Sequence, residues 1–205
     1  AALLALVLLA SPAAEAQTRT ESVYTKLILG ECGQELAAPN QEMESARFWC
    51  RGYHDMDVMV AEGDLRFFVS YGPNAENELA ASETLPQFNT IGETLEWRVQ
   101  PTPEGGWEAF ATILRFHLDA MESTRPGQVL VVTRLGETGT VCHVAYVDAL
   151  LNPTPNALAR EATDTIARDF ACGLENVGRM RVNVHRQRGT WAASIRFINT
   201  HAPSF

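Results

Sequence analysis

The chain has 205 residues, 46% of them hydrophobic and 20% charged, and a formal charge of −9. That balance excludes a disordered or fibrous chain, and the excess of acid excludes a general nucleic-acid binder, which has to neutralise phosphate. The length supports one domain, or two small ones sharing a sheet.

Residues 1–10 form an uncharged apolar run, broken by Ser11-Pro12 and followed by Ala14-Glu15-Ala16, an A-x-A processing site. Ten residues are half of the about twenty that a spanning helix needs. The run therefore predicts a signal peptide over residues 1–16, cleaved before Gln17. No cysteine stands where a lipoprotein would be acylated, which predicts free release into the periplasm or the medium without a transmembrane anchor. The missing initiator Met and basic segment predict that the chain begins inside its precursor. Residues 17–205 then form a single α+β domain with a charge of −8.

Four cysteines, Cys32, Cys50, Cys142 and Cys172, in an exported chain predict two disulfides. Three connectivities are possible. Loop closure favours Cys32–Cys50 and Cys142–Cys172 by about 1–2 kcal/mol, and each bond would stabilise the fold by about 3–4 kcal/mol. No C-x-x-C occurs, and Cys142-His143 lies in a strand where neighbours point to opposite faces. No metal site and no cofactor is assigned.

From Tyr24 the pattern is one of hairpins. Val58 and Val60 precede a tight turn at Glu62-Gly63 or Gly63-Asp64, and Leu65, Phe67, Val69 and Tyr71 alternate after it, all on one buried face. A polar connector, 74–84, leads to a second pair. Leu95, Trp97 and Val99 alternate, 101–106 turn, and Phe110, Thr112, Leu114, Phe116 and Leu118 alternate back. The opposite positions Trp107, Ala109, Ala111 and Ile113 are also apolar, so this strand should be central and covered on both sides. The third hairpin joins 128–135 to 141–147 through Gly136-Glu137-Thr138-Gly139.

One amphipathic helix is expected over about 154–172. Thr154 is placed to cap it and Pro155 to start it. Leu158, Ala162, Ile166 and Phe170 make its stripe, and Gly173 marks its end. A last hairpin, 180–185 and 191–197, turns near Arg188-Gly189.

Cys50-Arg51-Gly52-Tyr53, Glu62-Gly63-Asp64-Leu65-Arg66-Phe67, Thr94-Leu95-Glu96-Trp97 and the run from Cys142 to Ala149 resemble a group of small exported bacterial proteins of uncharacterised function. The resemblance spans roughly 24–172. It implies export and the placing of the cysteines, and no activity.

Candidate functional residues are few. His143 is a possible general base beside Asp148 and the Thr133 hydroxyl, although no nucleophile motif accompanies it. Glu93, Glu96 and Glu108 could pair as carboxylates, but solvated strand faces account for them. The sharpest asymmetry is electrostatic: 173–205 holds five arginines against Glu175, a local charge of +4. In the last hairpin Arg181, His185 and Arg196 fall on the polar face, a binding surface for an anionic envelope component or protein, or a face that docks on the acidic body. The sequence thus predicts an exported binding or interaction protein without a catalytic set; the alternative is an envelope hydrolase with its site near His143.

Overall fold

The computed structural model describes residues 19–36, 46–120, 125–173, 180–187 and 190–197, the last two segments as backbone. The signal-peptide segment and the turn at 188–189 lie outside the described residues. Strands β1 (Glu21–Lys26), β2 (Gly33–Leu36), β3 (Ala46–Arg51), β4 (Asp57–Gly63), β5 (Arg66–Tyr71), β6 (Asn89–Pro101), β7 (Trp107–Leu118), β8 (Gly127–Arg134) and β9 (Cys142–Asp148) precede helix α1 (Pro155–Ile166). The hairpin β10 (Met180–Gln187) and β11 (Thr190–Phe197) follows. All pairings are antiparallel, so the expected α+β architecture is the observed one.

The centre is a five-stranded sheet in the order β1-β6-β7-β8-β9. β7 is its middle strand, as its two apolar faces require. The second sheet, β2-β3-β4-β5, packs on one face. Val58, Val60, Val69 and Tyr71 meet Leu95, Trp97, Leu114, Phe116 and Val131 there. Helix α1 covers part of the other face, with Leu158, Ala159 and Ala162 on Ile113, Leu130, Val132, Ala145 and Val147.

Trp97 is the largest fully buried side chain of the first core. Its Nε1 donates to Thr25 Oγ1 at 2.8 Å, and its ring stands edge-on to Tyr71 at 5.8 Å. Gly52 lies flat against it, and a Cβ there would come within 2.2 Å of the indole.

Both expected disulfides are present, Cys32–Cys50 and Cys142–Cys172. The first joins the segment after β1 to β3. The second ties β9 to the segment after α1.

Three local expectations are corrected. The β4–β5 turn falls at Asp64-Leu65, with φ of 52° and 56°, and Gly63 pairs with Arg66. Leu65 is therefore 62% exposed and not on the buried face. The cause is tertiary. Asn89, itself buried, accepts from Phe67 N at 3.0 Å through its side chain and donates its own N–H to Leu65 O, pinning the start of β5 at Arg66.

Second, Phe110 faces the helix with Ala111 and Ile113, whereas Trp107 and Ala109 pack on the first core. A register shift opposite Arg98 and Val99 makes Phe110 an extra residue and reverses the alternation beyond it. Third, α1 ends at Ile166, short of 172. Arg168 Nη1 donates to Asp164 O at 2.8 Å, so a side chain takes a carbonyl that another turn of helix would have used. Thr154 stands at the N-cap as expected but makes no side-chain capping bond.

The polar connector is itself structured. Its short 3-10 turn Leu79–Ser82 lies along the outer edge of β9. The buried Glu78 carboxylate accepts from Gly139 N and Val141 N, Ala80 N donates to Val141 O, and Glu83 accepts from His143 N. These bonds occupy backbone groups that an edge strand otherwise leaves open. Among the described residues no helix is long and apolar enough to cross a membrane.

Two stability predictions follow from these contacts. Leu65→Gly relieves left-handed backbone strain and makes the Asp-Gly pair that a type I′ turn favours, so it should stabilise the protein by about 1 kcal/mol and raise Tm by about 2–4 °C. An unchanged or lower Tm would contradict the turn assignment. Burial pushes the Tyr71 hydroxyl well above its ordinary value, with the neighbouring Thr112 side chain acting the other way. An unfolded tyrosine ionises near pH 10, so above that pH the folded chain holds a proton that the unfolded chain releases. Stability is then complete below about pH 10 and falls as the pH rises further. Tyr71→Phe should show a shallower alkaline decline of Tm than the parent, and parallel curves would refute the assignment.

Candidate functional site

On the face turned towards α1, the central sheet divides into two halves. Under the helix, β8 and β9 present Leu130, Val132, Ala145 and Val147. Towards β1, the same face presents Ser22 opposite Arg98 and Tyr24 opposite Glu96, with Gln100 beyond them on β6. The helix answers both halves. Its apolar stripe covers the first, and Arg160 and Asp164, continued at the same spacing by Arg168 just past the end of the helix, face the second.

Two strand residues advance about 6.7 Å and four helix residues about 6 Å, so successive members of the two rows stay level. Arg160 Nε donates to Glu96 Oε1 at 2.5 Å and its Nη2 to Tyr24 Oη at 2.9 Å. Arg98 makes a forked pair with Asp164, Nε to Oδ1 at 3.0 Å and Nη2 to Oδ2 at 2.6 Å. Arg168 Nε reaches Gln100 Oε1 at 2.8 Å, and its guanidinium lies 4.0 Å over the Phe110 ring. Ser22 donates to Glu96 and accepts from Arg98, closing the network. Hydrogen bonding to Glu96 holds the Arg160 guanidinium above its ordinary value, with burial acting the other way.

Beyond this ladder, at the N-terminal end of α1, lies a cavity of about 490 Å³. Glu96, Arg160 and Tyr24 form one wall, Arg115, His117 and Asn156 another, and Ile113 and Leu130 supply apolar floor. Glu93 and Thr94 complete the rim, aimed there by an irregularity of β6. The register jumps from Ile91↔Phe116 to Leu95↔Leu114, so Gly92, Glu93 and Thr94 oppose the single residue Arg115. Leu27 N, bonded to Glu93 O at 2.9 Å, fixes the irregularity from β1.

The carboxylates singled out in the sequence part company here. Glu96 is buried in its ion pair and not solvated. Glu93 stands exposed in the same cavity. Glu108 lies at the other end of β7, accepting from Gln100.

His143 belongs to the opposite face. The extra residue Val144, at the register shift between Val132↔Ala145 and Thr133↔His143, turns His143 to the side of Tyr146. Its Nδ1 is 3.0 Å from the Tyr146 hydroxyl, and its ring is buried beside Thr133. Asp148 sits at the far end of β9, about 15 Å along the strand, where Oδ1 accepts from Leu150 N and Leu151 N. The structure thus brings His143 to Thr133 and not to Asp148.

For Arg181, His185 and Arg196 the described backbone gives the register. Arg181 pairs with Arg196 and His185 with Ala192, so Arg181, His185 and Arg196 share one face of the hairpin. β10 runs beside β9.

Sequence reasoning missed Arg115, Asn156 and Arg160 as a group. The legible signal was the second spacing-four row, 156, 160, 164 and 168, beside the apolar one.

The ladder carries a prediction. Asp164→Ala leaves the buried Arg98 without its carboxylate and should destabilise the protein by about 2–3 kcal/mol. Arg98→Met with Asp164→Leu removes both charges and should recover most of that loss in denaturant melts. A double variant no better than the single one would show that the pair is not the reason for the loss. No protein-family model, no curated protein and no solved structure matches the chain.

Proposed function

We propose that this chain is a non-catalytic binding protein that works outside the cytoplasm and holds a small polar ligand in the cavity between β6, β7 and the start of α1. The observation that carries the reading is the Arg115 guanidinium. It lines the cavity, held by two neutral amide oxygens, Gln128 Oε1 at 2.9 Å and Asn156 Oδ1 at 3.1 Å, and makes no ion pair with a described residue. Neutral partners orient a cation without cancelling its charge, which leaves it available to an incoming anion. The cavity has the size and the mixture of apolar floor and converging polar groups usual for small-ligand sites. Two disulfides support an oxidising compartment, in keeping with the apolar leader.

A second reading concerns the basic hairpin. Its register sets Arg181 directly opposite Arg196, and like charges so placed destabilise a strand pair unless something neutralises them. An anionic partner docked on that face would do so.

Protein matured in an exporting host should gain thermal stability when mixed with the small-molecule fraction of the host envelope. Thr94→Trp, which fills the exposed rim of the cavity, should abolish the gain while folding normally. A gain that survives in the filled variant would move the ligand elsewhere. For the hairpin, Arg181→Ala and Arg196→Ala should weaken retention on an anionic polysaccharide matrix and flatten its salt dependence. Unchanged retention with a lowered Tm would instead make the hairpin a structural element.

A further inference from the structure

Two charges in the cavity are left without an ionic partner among the described residues, and they have opposite signs. Glu96 and Arg160 neutralise each other. Among the described residues Arg115 is bound only by amide oxygens, and Glu93, which lines the same space, makes no ion pair. The β6 irregularity places Glu93 on the residues that oppose Arg115, so the two charges flank one short stretch of the cavity. Ile113 and Leu130, almost fully buried in the core under the helix, line the same cavity and give it its apolar part.

A ligand with a single charge would leave the other group desolvated and unanswered, which is unfavourable in a partly enclosed site. A ligand carrying both charges answers both. We infer that the cavity takes an aliphatic zwitterion of the amino-acid or short-peptide class, its carboxylate on Arg115, its ammonium on Glu93 and its side chain on Ile113 and Leu130. This inference rests on the reading of the cavity as a ligand seat and adds the charge pattern of the ligand. The specificity is built from two separate charge contacts, so it should come apart one contact at a time.

Leucine and leucyl-leucine serve as probes, compared by calorimetry with N-acetylleucine, which lacks the cation, and leucinamide, which lacks the carboxylate. The parent protein should bind the two zwitterions and should bind each blocked analogue weaker by about tenfold or more. In Glu93→Gln the preference for leucine over N-acetylleucine should vanish while leucinamide stays disfavoured. In Arg115→Gln the reverse should hold. Matching circular dichroism and Tm for both variants separates lost recognition from lost folding. Equal binding of leucine and either blocked analogue, or discrimination that neither variant alters, would overturn the zwitterion inference and leave the seat standing. Absence of binding by all four probes, together with an envelope-extract response that Thr94→Trp does not remove, would overturn both.

Discussion

β6 carries Glu96 and Arg98 on a face that the fold covers, and the arrangement of the helix layer depends on how those two charges are answered. A buried charge without a partner is far more destabilising than a surface pair is stabilising. The helix supplies Arg160 and Asp164 four residues apart, level with strand positions two apart, and with each sign opposed to its own partner. The alternation fixes the register: displacement by one turn would bring Arg160 to Arg98, or Asp164 to Glu96. The rotation of α1 about its axis is fixed as well, since the apolar stripe and the polar row must each meet their own half of the sheet.

The cavity is a by-product of the same arrangement. A helix of 12 residues set over β8 and β9 cannot also cover the β1 side of the sheet, and the ladder closes that side only from Glu96 to Gln100. At the N-terminal end, where β6 departs from regular pairing, the sheet face stays open, lined in part by Glu93 and Arg115, which make no ion pair with a described residue. The position of Glu93 therefore follows from a backbone irregularity, and that of Arg115 from its being the single residue which the irregularity opposes.

The two disulfides divide their work along the same layers. Cys32–Cys50 links the exit of β1, in the central sheet, to β3 in the sheet that covers one face. Cys142–Cys172 links β9 to the chain just beyond the helix that covers the other. Each bond thus joins one cover to the common centre, and each closes a short loop, of 18 and 30 residues. The edge of β9 is occupied by the connector through Glu78 and Glu83, so the segment between β5 and β6 contributes protection as well as passage.

Local pattern alone determined the hairpins around 57–71, 95–118 and 128–147, the central place of β7, the existence and start of α1, and the cysteine pairing. In each of these the deciding interactions lie close in sequence or depend on whether a face is apolar. The pairing of β1 with β6 across some 70 residues was not legible, because an isolated half-polar strand does not name its partner. Strands β2 and β3 were missed for the same reason. Register shifts were invisible too: Phe110, Val144 and the 92–94 stretch each reverse or redirect side chains through one or more extra residues that no alternation predicts. The turn at Asp64-Leu65 departed from the glycine because Asn89, distant in sequence, holds the start of β5. The partners of the polar row of α1 were not legible, since Glu96, Arg98 and Arg115 sit on strands that the helix reaches only in the folded state. Charge and period are properties of the sequence, but which buried charge meets which, and which is left over to face a cavity, was decided by the tertiary structure.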